Sequence, residues 1–226
     1  MIKAVIFDMF ETLVTLFVGK TYFSENVAED LGLGPQLEEY RKYWHATEND
    51  RTLGKITFAQ GTETALRELG QYTPQKVELV MKHRLAALQD TFSAIPKESV
   101  QLLQNLKARG IKIGLMTNTF SDERDFIRAC ELFPYFDVPL ISYEIGICKP
   151  RREMFCKMTE LLGVPAAECL YVGDGGSGEL YAARQAGMQP VQCTWFHELA
   201  FEPHVPCPIL DDFEHAEKQM DVLKFL

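Results

Sequence analysis

The chain has 226 residues, of which 46% are hydrophobic, 24% are charged and 11% are aromatic. This composition is typical of a globular protein and excludes a disordered chain, a collagen-like fibre and a small disulfide scaffold. The formal net charge of -9 would repel a phosphate backbone, so we expect no general binding of nucleic acid.

The chain contains no run of about 18 uninterrupted apolar residues, so we expect no membrane-spanning helix and no membrane partner. Asp8 and Glu11 interrupt the apolar N-terminus and no Ala-x-Ala cleavage site follows, which argues against a secretory signal. The six cysteines form no CxxC pair and are typical of reduced thiols. We therefore expect a cytoplasmic protein, either a monomer or a homodimer.

Short apolar runs predict the strands of a parallel sheet. Residues 3–8 are rich in bulky and β-branched side chains and end in an acid, which is typical of a strand buried on both faces. Similar runs follow at residues 111–116, 138–142, 169–172 and 190–193. Amphipathic helical patterns separate most of them, so we expect an α/β fold with a Rossmann-like parallel sheet and helices on both of its faces.

Residues 15–89 differ from the rest because they contain no convincing strand pattern. The spacing of apolar residues predicts helices over 57–69 and 74–89. We therefore expect an α-helical domain at 15–89, inserted into a core domain formed by residues 1–14 and 90–226. Residues 201–208 hold three prolines and predict an irregular connection, and residues 212–225 predict a docked C-terminal helix.

Polar residues that can carry chemistry follow several of the predicted strands. Asp8 ends the first strand, Thr117 and Asn118 follow the second, Lys149 lies in the loop after the third, and Asp174 follows the fourth. Each alone has a structural explanation, such as a turn, a helix cap or a solvated loop lysine. Because open parallel sheets bind ligands at the carboxyl ends of their strands, their joint occurrence favours a shared site.

This grouping of residue types indicates phosphoryl chemistry. A carboxylate such as Asp8 can act as a nucleophile. Asp8 and Asp174 would repel each other unless a cation lies between them, and Mg²⁺ suits oxygen ligands. Lys149 can neutralise a phosphoryl oxygen, while Thr117 and backbone N–H groups after Asp8 can hold the others.

The sequence resembles the haloacid dehalogenase-like superfamily, in the subgroup with a helical cap after the first strand. Four motifs carry the resemblance and together span most of the chain. They are FDMFETL at residues 7–13, LMTN at 115–118, KP at 149–150 and VGDGGSGE at 172–179.

The resemblance implies a role for each motif. Asp8 would attack the substrate and form a covalent aspartyl intermediate, usually an aspartyl-phosphate, while Lys149 orients Asp8 and balances charge. The substrate, a small phosphorylated metabolite, would contact further residues around the nucleophile, which are Met9, Phe10, Thr117, Asn118 and Lys149. Mg²⁺ would be held by Asp8, Asp174 and the backbone carbonyl of Phe10, with help from Glu179 directly or through water.

Phe10 departs from the family pattern. Phosphatases of this family normally carry a second Asp at this position, which protonates the leaving alcohol and then activates water. General acid–base catalysis is typically worth about 10²–10⁴-fold, so its loss matters for an alkyl phosphate. Either the leaving group needs no acid, or another carboxylate such as Glu11 substitutes, or the reaction is not phosphate ester hydrolysis.

Two alternatives to a phosphohydrolase therefore stay open. Dehalogenating members carry an aromatic residue at the position of Phe10, but they need no metal and do not keep the Gly-Asp pair seen here at 173–174. A substrate carboxylate would also need a cation, and the first arginine in the chain is Arg41. We favour a Mg²⁺-dependent phosphohydrolase over a metal-independent 2-haloacid dehalogenase and over a non-catalytic protein that binds a phosphorylated ligand.

Residues of the insert invite a functional interpretation, but structural roles are favoured. Tyr43, Trp44 and His45 could line a pocket, although we expect them to pack within the cap. Some relatives form a Schiff base on a cap lysine, which draws attention to Lys55, although we expect a solvated side chain.

Overall fold

In this computed structural model, residues 1–201 and 204–226 are described. Their strands form one parallel sheet in the order β3-β2-β1-β4-β5-β6. The strands are Ala4–Phe7 (β1), Lys112–Thr117 (β2), Val138–Ile141 (β3), Cys169–Gly173 (β4), Gln189–Cys193 (β5) and Glu214–Ala216 (β6). The first five coincide with the predicted strands, so the prediction of a Rossmann-like parallel sheet is confirmed.

The sixth strand is a correction to the sequence prediction. We expected one helix over residues 212–225, but the structure has β6 followed by a 3₁₀ helix at Gln219–Phe225. The backbone N–H of Thr194 donates to the carbonyl of Ala216 at 3.0 Å, which extends the sheet beyond β5. A strand of three residues is too short to show a period of two, so the apolar spacing of this segment was also compatible with a helix.

Helices cover both faces of the sheet. They are Lys97–Ala108 (α6), Ser121–Ala129 (α7), Ser142–Ile145 (α8), Arg152–Leu162 (α9) and Glu179–Gln185 (α10). Because successive side chains of a strand point to opposite faces, β1 contributes to a hydrophobic core on each side. Val5 and Phe7 belong to one core cluster, and Ala4 and Ile6 belong to the other.

Five α-helices lie between β1 and α6. The helices are Ser24–Leu31 (α1), Leu37–Ala46 (α2), Glu48–Thr52 (α3), Phe58–Glu68 (α4) and Pro74–Ser93 (α5). Thr57 begins α4 by accepting the N–H of Gln60 at 3.2 Å, and Pro74 occupies the first turn of α5, where its missing N–H costs nothing.

Four of these helices, α1, α2, α4 and α5, bury a third hydrophobic cluster, which includes Tyr40, Phe58 and Leu66. Phe120, which lies just before α7, packs against the same cluster and so connects it with the sheet. Residues 15–89, all of which are described, contain no strand. The division into a core at 1–14 and 90–226 and a cap at 15–89 stays a prediction, and α5 continues past its boundary to Ser93.

The irregular connection predicted at residues 201–208 includes residues 202 and 203, which lie outside the described residues. The remainder of that segment has no regular secondary structure. Within the described ranges, no helix combines the length and the apolar character needed to cross a bilayer.

The strand order places the predicted site. β1 lies at the centre of the sheet, between β2 and β4, and pairs in parallel with both. Asp8 follows β1, Asn118 follows β2 and Asp174 follows β4. The carboxyl ends of the three strands therefore meet at the same edge of the sheet, which is where open α/β sheets bind their ligands.

Candidate active site

Asp8 is the residue around which the site is built. Its backbone N–H donates to the carbonyl of Val172 at 3.0 Å, so neighbouring strands fix its position. Its side-chain Oδ1 accepts the backbone N–H of Met9 at 2.7 Å. Only 9% of the residue is exposed, so it is largely removed from water at the end of its strand.

Lys149 contacts this carboxylate directly, with its Nζ 2.7 Å from Oδ2 of Asp8. The same Nζ also contacts Glu179. Burial opposes the charge of the lysine, but attraction by the two carboxylates outweighs burial and raises its pKa. The ammonium is therefore a fixed positive charge beside Asp8.

Asn118 holds the Lys149 loop in place. Its side-chain Oδ1 accepts the backbone N–H of Lys149 at 2.8 Å, and its Nδ2 donates to the carbonyl of Lys149 at 3.0 Å. The pair of bonds fixes the lysine backbone against the end of β2. Asn118 was predicted to contact substrate, and that role stays a prediction.

Thr117 ends β2, and its hydroxyl is buried without a hydrogen-bond partner among the described residues. A buried hydroxyl with no partner loses the free energy of its hydrogen bonds to water. Such a group is suited to a ligand oxygen, which agrees with the predicted role of Thr117 in binding the transferring group.

Asp174 lies in the turn between β4 and α10, and Glu179 is the first residue of α10. The N–H of Gly176 donates to Oδ1 of Asp174 at 3.0 Å, within a turn where Gly175 has a φ of 100°. A Cβ at position 173 would lie 1.9 Å from Oε1 of Glu179, so only glycine allows this carboxylate to pack against the strand. The spacing of this motif therefore has a steric reason as well as a chemical one.

Tyr171 is a part of the site that the sequence interpretation missed. Its hydroxyl donates to Oε2 of Glu179 at 2.8 Å, and the residue is fully buried. A buried tyrosine in the middle of a strand needs a hydrogen-bond partner, and this requirement was the available signal. Tyr171 and Lys149 together fix the position of Glu179.

The carboxyl groups of the site have raised pKa values. Burial raises the pKa of Asp174 to about 6, and repulsion by Asp8 acts in the same direction. Burial is also the main cause that raises the pKa of Glu179 to about 8, against the opposing effect of Lys149. The site thus concentrates more negative charge than Lys149 alone neutralises.

This donor set fits a magnesium ion. One carboxylate oxygen from each of Asp8, Asp174 and Glu179 lies within 4.8 Å of the other two. Carboxylate oxygens are the protein ligands that Mg²⁺ prefers, and a divalent cation would offset the repulsion between carboxylates that adds to the effect of burial on the two pKa values. Glu179 already accepts hydrogen bonds from Tyr171 and Lys149. It is therefore better suited to contact a metal through a water molecule than to bind the metal directly.

Phe10 occupies the turn after Asp8 with its ring half-buried. The ring packs edge-on against Phe92, with a centroid separation of 6.1 Å. It offers no proton to a leaving group. The predicted metal contact at this position uses the backbone carbonyl, so it does not depend on the side chain.

Glu11 is the neighbouring carboxylate that we considered as a substitute acid. Its Oε2 accepts from the Thr15 hydroxyl at 2.7 Å and its Oε1 accepts from the Leu16 N–H at 2.8 Å. Burial raises its pKa to about 7, with repulsion by Asp174 and Asp8 contributing. This pKa suits an acid–base group, but both oxygens are engaged by the segment that follows.

A cavity of about 570 Å³ is lined mainly by the inserted segment, and none of Asp8, Lys149 and Asp174 lines it. Its walls come from the inserted helices, from Leu16 after the first motif and from Phe120 after the second. Trp44 and His45 line it, although we expected them only to pack within the cap, and Arg41 lines it as well. Lys55 instead forms an exposed ion pair with Asp50, as expected of a solvated lysine.

Comparisons with known proteins show the family and the fold of the chain. Over residues 2–187 the chain matches the family model described as haloacid dehalogenase-like hydrolase. It is 26% identical over 242 residues to a glyceraldehyde 3-phosphate phosphatase of Methanopyrus kandleri, and the alignment covers 100% of this chain and 99% of the relative.

Two solved structures share the fold. A HAD family enzyme of Bacteroides thetaiotaomicron in complex with magnesium and inorganic phosphate has a TM-score of 0.64 and 20% identity, covering 85% of this chain and 94% of its own. A 2-haloacid dehalogenase of Pseudomonas syringae pv. Tomato DC3000 has a TM-score of 0.67 and 22% identity, covering 99% and 97%. The family match over most of the chain identifies the protein as a member of the haloacid dehalogenase-like hydrolases.

Proposed function

We propose that this chain is a Mg²⁺-dependent phosphohydrolase that hydrolyses small phosphorylated metabolites through an aspartyl-phosphate on Asp8. The observation that carries the proposal is the joint placement of Asp8, Lys149 and Asp174 at one sheet edge, with Lys149 2.7 Å from Asp8. A relative aligned over the whole chain is named a glyceraldehyde 3-phosphate phosphatase, which supports phosphate monoesters as the substrate class.

In the first step a carboxylate oxygen of Asp8 attacks phosphorus while the bond from phosphorus to the leaving oxygen breaks. The leaving oxygen keeps the electron pair of that bond. Lys149 faces the nucleophile and stabilises negative charge on the phosphoryl oxygens, while the buried hydroxyl of Thr117 and the N–H of Phe10 hold those oxygens in place. The N–H of Met9 donates to Asp8 and so orients the nucleophile. Asn118 keeps Lys149 in position through its backbone.

In the second step water attacks the phosphorus of the aspartyl-phosphate. The bond to the Asp8 oxygen breaks, the carboxylate returns, and the protons of the water pass to inorganic phosphate and to solvent. Asp8, Asp174 and the carbonyl of Phe10 would hold Mg²⁺, with Glu179 acting through water. When bound, the ion would supply positive charge to the phosphoryl oxygens and offset the repulsion between carboxylates.

The experiment measures phosphate release from acetyl phosphate and p-nitrophenyl phosphate, with Mg²⁺ and with a chelator. We expect Mg²⁺-dependent release by the wild type and none by Asp8→Asn, because an amide is not a nucleophile of this kind. Asp50→Asn, which changes an exposed aspartate of the insert, should retain wild-type turnover. Equal turnover by the Asp8→Asn and wild-type proteins would refute the assignment of the nucleophile.

Phe10 gives a specific reason to keep a second candidate, a metal-independent 2-haloacid dehalogenase, because a departing halide needs no proton. Asp174 and Glu179 argue against it, since their carboxylates cluster with that of Asp8 and a metal-free reaction does not require such a cluster. Halide release from 2-chloropropionate in the presence of a chelator would establish the dehalogenase. Binding of phosphate analogues with no release of phosphate or halide would establish a non-catalytic phosphoryl-ligand protein.

A further inference from the structure

The walls of the 570 Å³ cavity are strongly aromatic. A volume of this size is within the usual range for small-molecule sites. Six aromatic rings line it, five from the inserted segment and one from the residue before α7. They are Tyr22, Phe23, Tyr40, Trp44, Phe58 and Phe120. The rings of Trp44 and Phe58 lie 4.7 Å apart, and Phe120 lies 6.1 Å from Phe58, so they form one continuous surface. Such a surface suits a flat apolar body.

The arginines of the lining are already paired with carboxylates. Arg41 contacts Glu25 and Glu38, the latter at 2.6 Å. Arg84 contacts Glu123 and also Asp122, the latter at 2.8 Å. The Arg84 pairs are buried, so breaking one to accommodate a further anion is costly, because a carboxylate is left without its partner. The Arg41 pairs are partly exposed, and their two carboxylates offset the positive charge of that arginine.

The histidines of the lining follow the same pattern. His45 lies 3.1 Å from Glu48, and His204 lies 3.4 Å from Glu25. Each basic side chain that lines the cavity therefore has an acidic neighbour. The cavity is thus suited to the uncharged part of a substrate and is poorly suited to a second phosphate or a carboxylate.

The chemistry at Phe10 restricts the leaving group as well. With no proton donor at this position, the leaving oxygen must depart with its negative charge. A phenolate carries such a charge far better than an alkoxide does. For an alkoxide, the missing acid would cost about 10²–10⁴-fold in rate.

We propose that the substrates of this site are phosphate monoesters with a neutral aromatic body and a weakly basic leaving oxygen, that is, aryl phosphates without a second anionic group. The inference rests on the proposed function, since it assumes phosphoryl transfer to Asp8. In the transfer, the phosphorus–oxygen bond to the aryl oxygen breaks, the aryloxide leaves with the electron pair, and it takes a proton from water if its basicity requires one.

The first experiment measures kcat/KM with Mg²⁺ for matched substrates. p-Nitrophenyl phosphate and p-nitrobenzyl phosphate share an aromatic body but differ in the basicity of the leaving oxygen, and we expect at least about a 10²-fold preference for the former. 4-Carbamoylphenyl phosphate and 4-carboxyphenyl phosphate differ in charge, and we expect about a tenfold preference for the neutral compound. Acetyl phosphate has a weakly basic leaving group but no aromatic body, so it serves as the reference substrate for contacts with the aromatic walls.

The second experiment tests the aromatic walls with Phe23→Leu and Trp44→Leu. Each should lower the ratio of kcat/KM for p-nitrophenyl phosphate to that for acetyl phosphate by about tenfold, since a stacking contact is lost. Tyr72→Leu is the matched control, because Tyr72 packs in the same hydrophobic cluster outside the cavity lining. It should leave the ratio at its wild-type value, and thermal unfolding of each variant checks that it is folded.

The outcomes separate the inference from the proposed function. Mg²⁺-dependent release from acetyl phosphate, with equal kcat/KM for the members of both matched pairs, would overturn the inference and leave the phosphohydrolase standing. Release from none of these substrates would overturn the phosphohydrolase itself. A preference for the charged 4-carboxyphenyl phosphate would overturn the assignment of a neutral body.

Discussion

At the scale of single residues, the site separates charge stabilisation from proton transfer. Lys149, Asp174 and Glu179 surround Asp8 with the charges that phosphoryl transfer requires. The resemblance implies a proton-donating Asp at the position that here holds the half-buried ring of Phe10, packed on Phe92. The proposed nucleophile and the proposed metal ligands are thus retained, while position 10 offers no proton donor.

Phe10→Asp should therefore supply the proton donor that the site lacks. We expect kcat for an alkyl phosphate such as glycerol phosphate to rise by about 10–10²-fold, because the new carboxyl group can protonate the alkoxide. Phe10→Asn is the control, since it removes the ring without supplying an acid and should give no gain. Steady-state phosphate release measures both. If the two variants gain equally, the ring blocks the site sterically and the missing-acid interpretation is wrong.

The raised pKa values predict how stability depends on pH. Folding raises the pKa of Asp174 to about 6 and that of Glu179 to about 8, so the folded protein binds these protons more tightly than the unfolded chain does. The contribution of these two carboxyl groups to the free energy of unfolding is complete below about pH 4 and is lost as the pH rises toward about 8.

Magnesium should reverse part of that loss. We expect the increase in Tm on adding Mg²⁺ to the wild type to be larger at about pH 8 than at about pH 5, because fewer protons must be displaced. Asp174→Asn should show little increase in Tm on adding Mg²⁺ at either pH. Without metal, the difference in stability between this variant and the wild type should shift in favour of the variant as the pH rises from about 5 to about 8. A larger Mg²⁺ effect at the lower pH would contradict the metal assignment.

At the scale of elements, a buried charge network connects the inserted helices to the sheet. Arg84 of α5 contacts Asp122 and Glu123 in the first turn of α7. The Ser121 hydroxyl also accepts the backbone N–H of Phe58 at 2.9 Å. Because α7 begins just after the end of β2, this network fixes the insert against the segment that carries Thr117.

Arg84→Met should lower the free energy of unfolding by about 3–5 kcal/mol, since it leaves two buried carboxylates without their partner. Arg128→Met is the matched control, because Arg128 pairs with Glu144 while 43% of its side chain is exposed. That change should cost at most about 1 kcal/mol. Urea denaturation measures both values. Equal effects would show that the Arg84 network does not stabilise the fold.

At the scale of the whole molecule, most of the sheet and the meeting of Asp8, Asn118, Lys149 and Asp174 could be predicted from sequence. Buried parallel strands read as short apolar runs, and their polar ends mark the edge where the site forms. β6 was not predicted, because a strand of three residues is too short to show an alternating pattern of apolar and polar side chains.

The cavity and its charge pairs escaped for a different physical reason. Arg41 and Glu25 are 16 residues apart and Arg84 and Asp122 are 38 apart, so only the packing of helices brings each pair together. Tyr171 is separated by eight residues from the carboxylate that it contacts, across a turn. Contacts of this kind depend on tertiary structure and leave no local pattern.

The most direct test of the account is chemical trapping of the covalent intermediate. The protein is mixed with Mg²⁺ and acetyl phosphate, quenched in acid and reduced with borohydride, which converts an aspartyl-phosphate to homoserine that mass spectrometry can locate. We expect the modification at residue 8, absent from Asp8→Asn and from samples with a chelator. It should accumulate because no carboxylate at residue 10 activates water. Phosphate release with an unmodified Asp8 at every quench time would contradict the account.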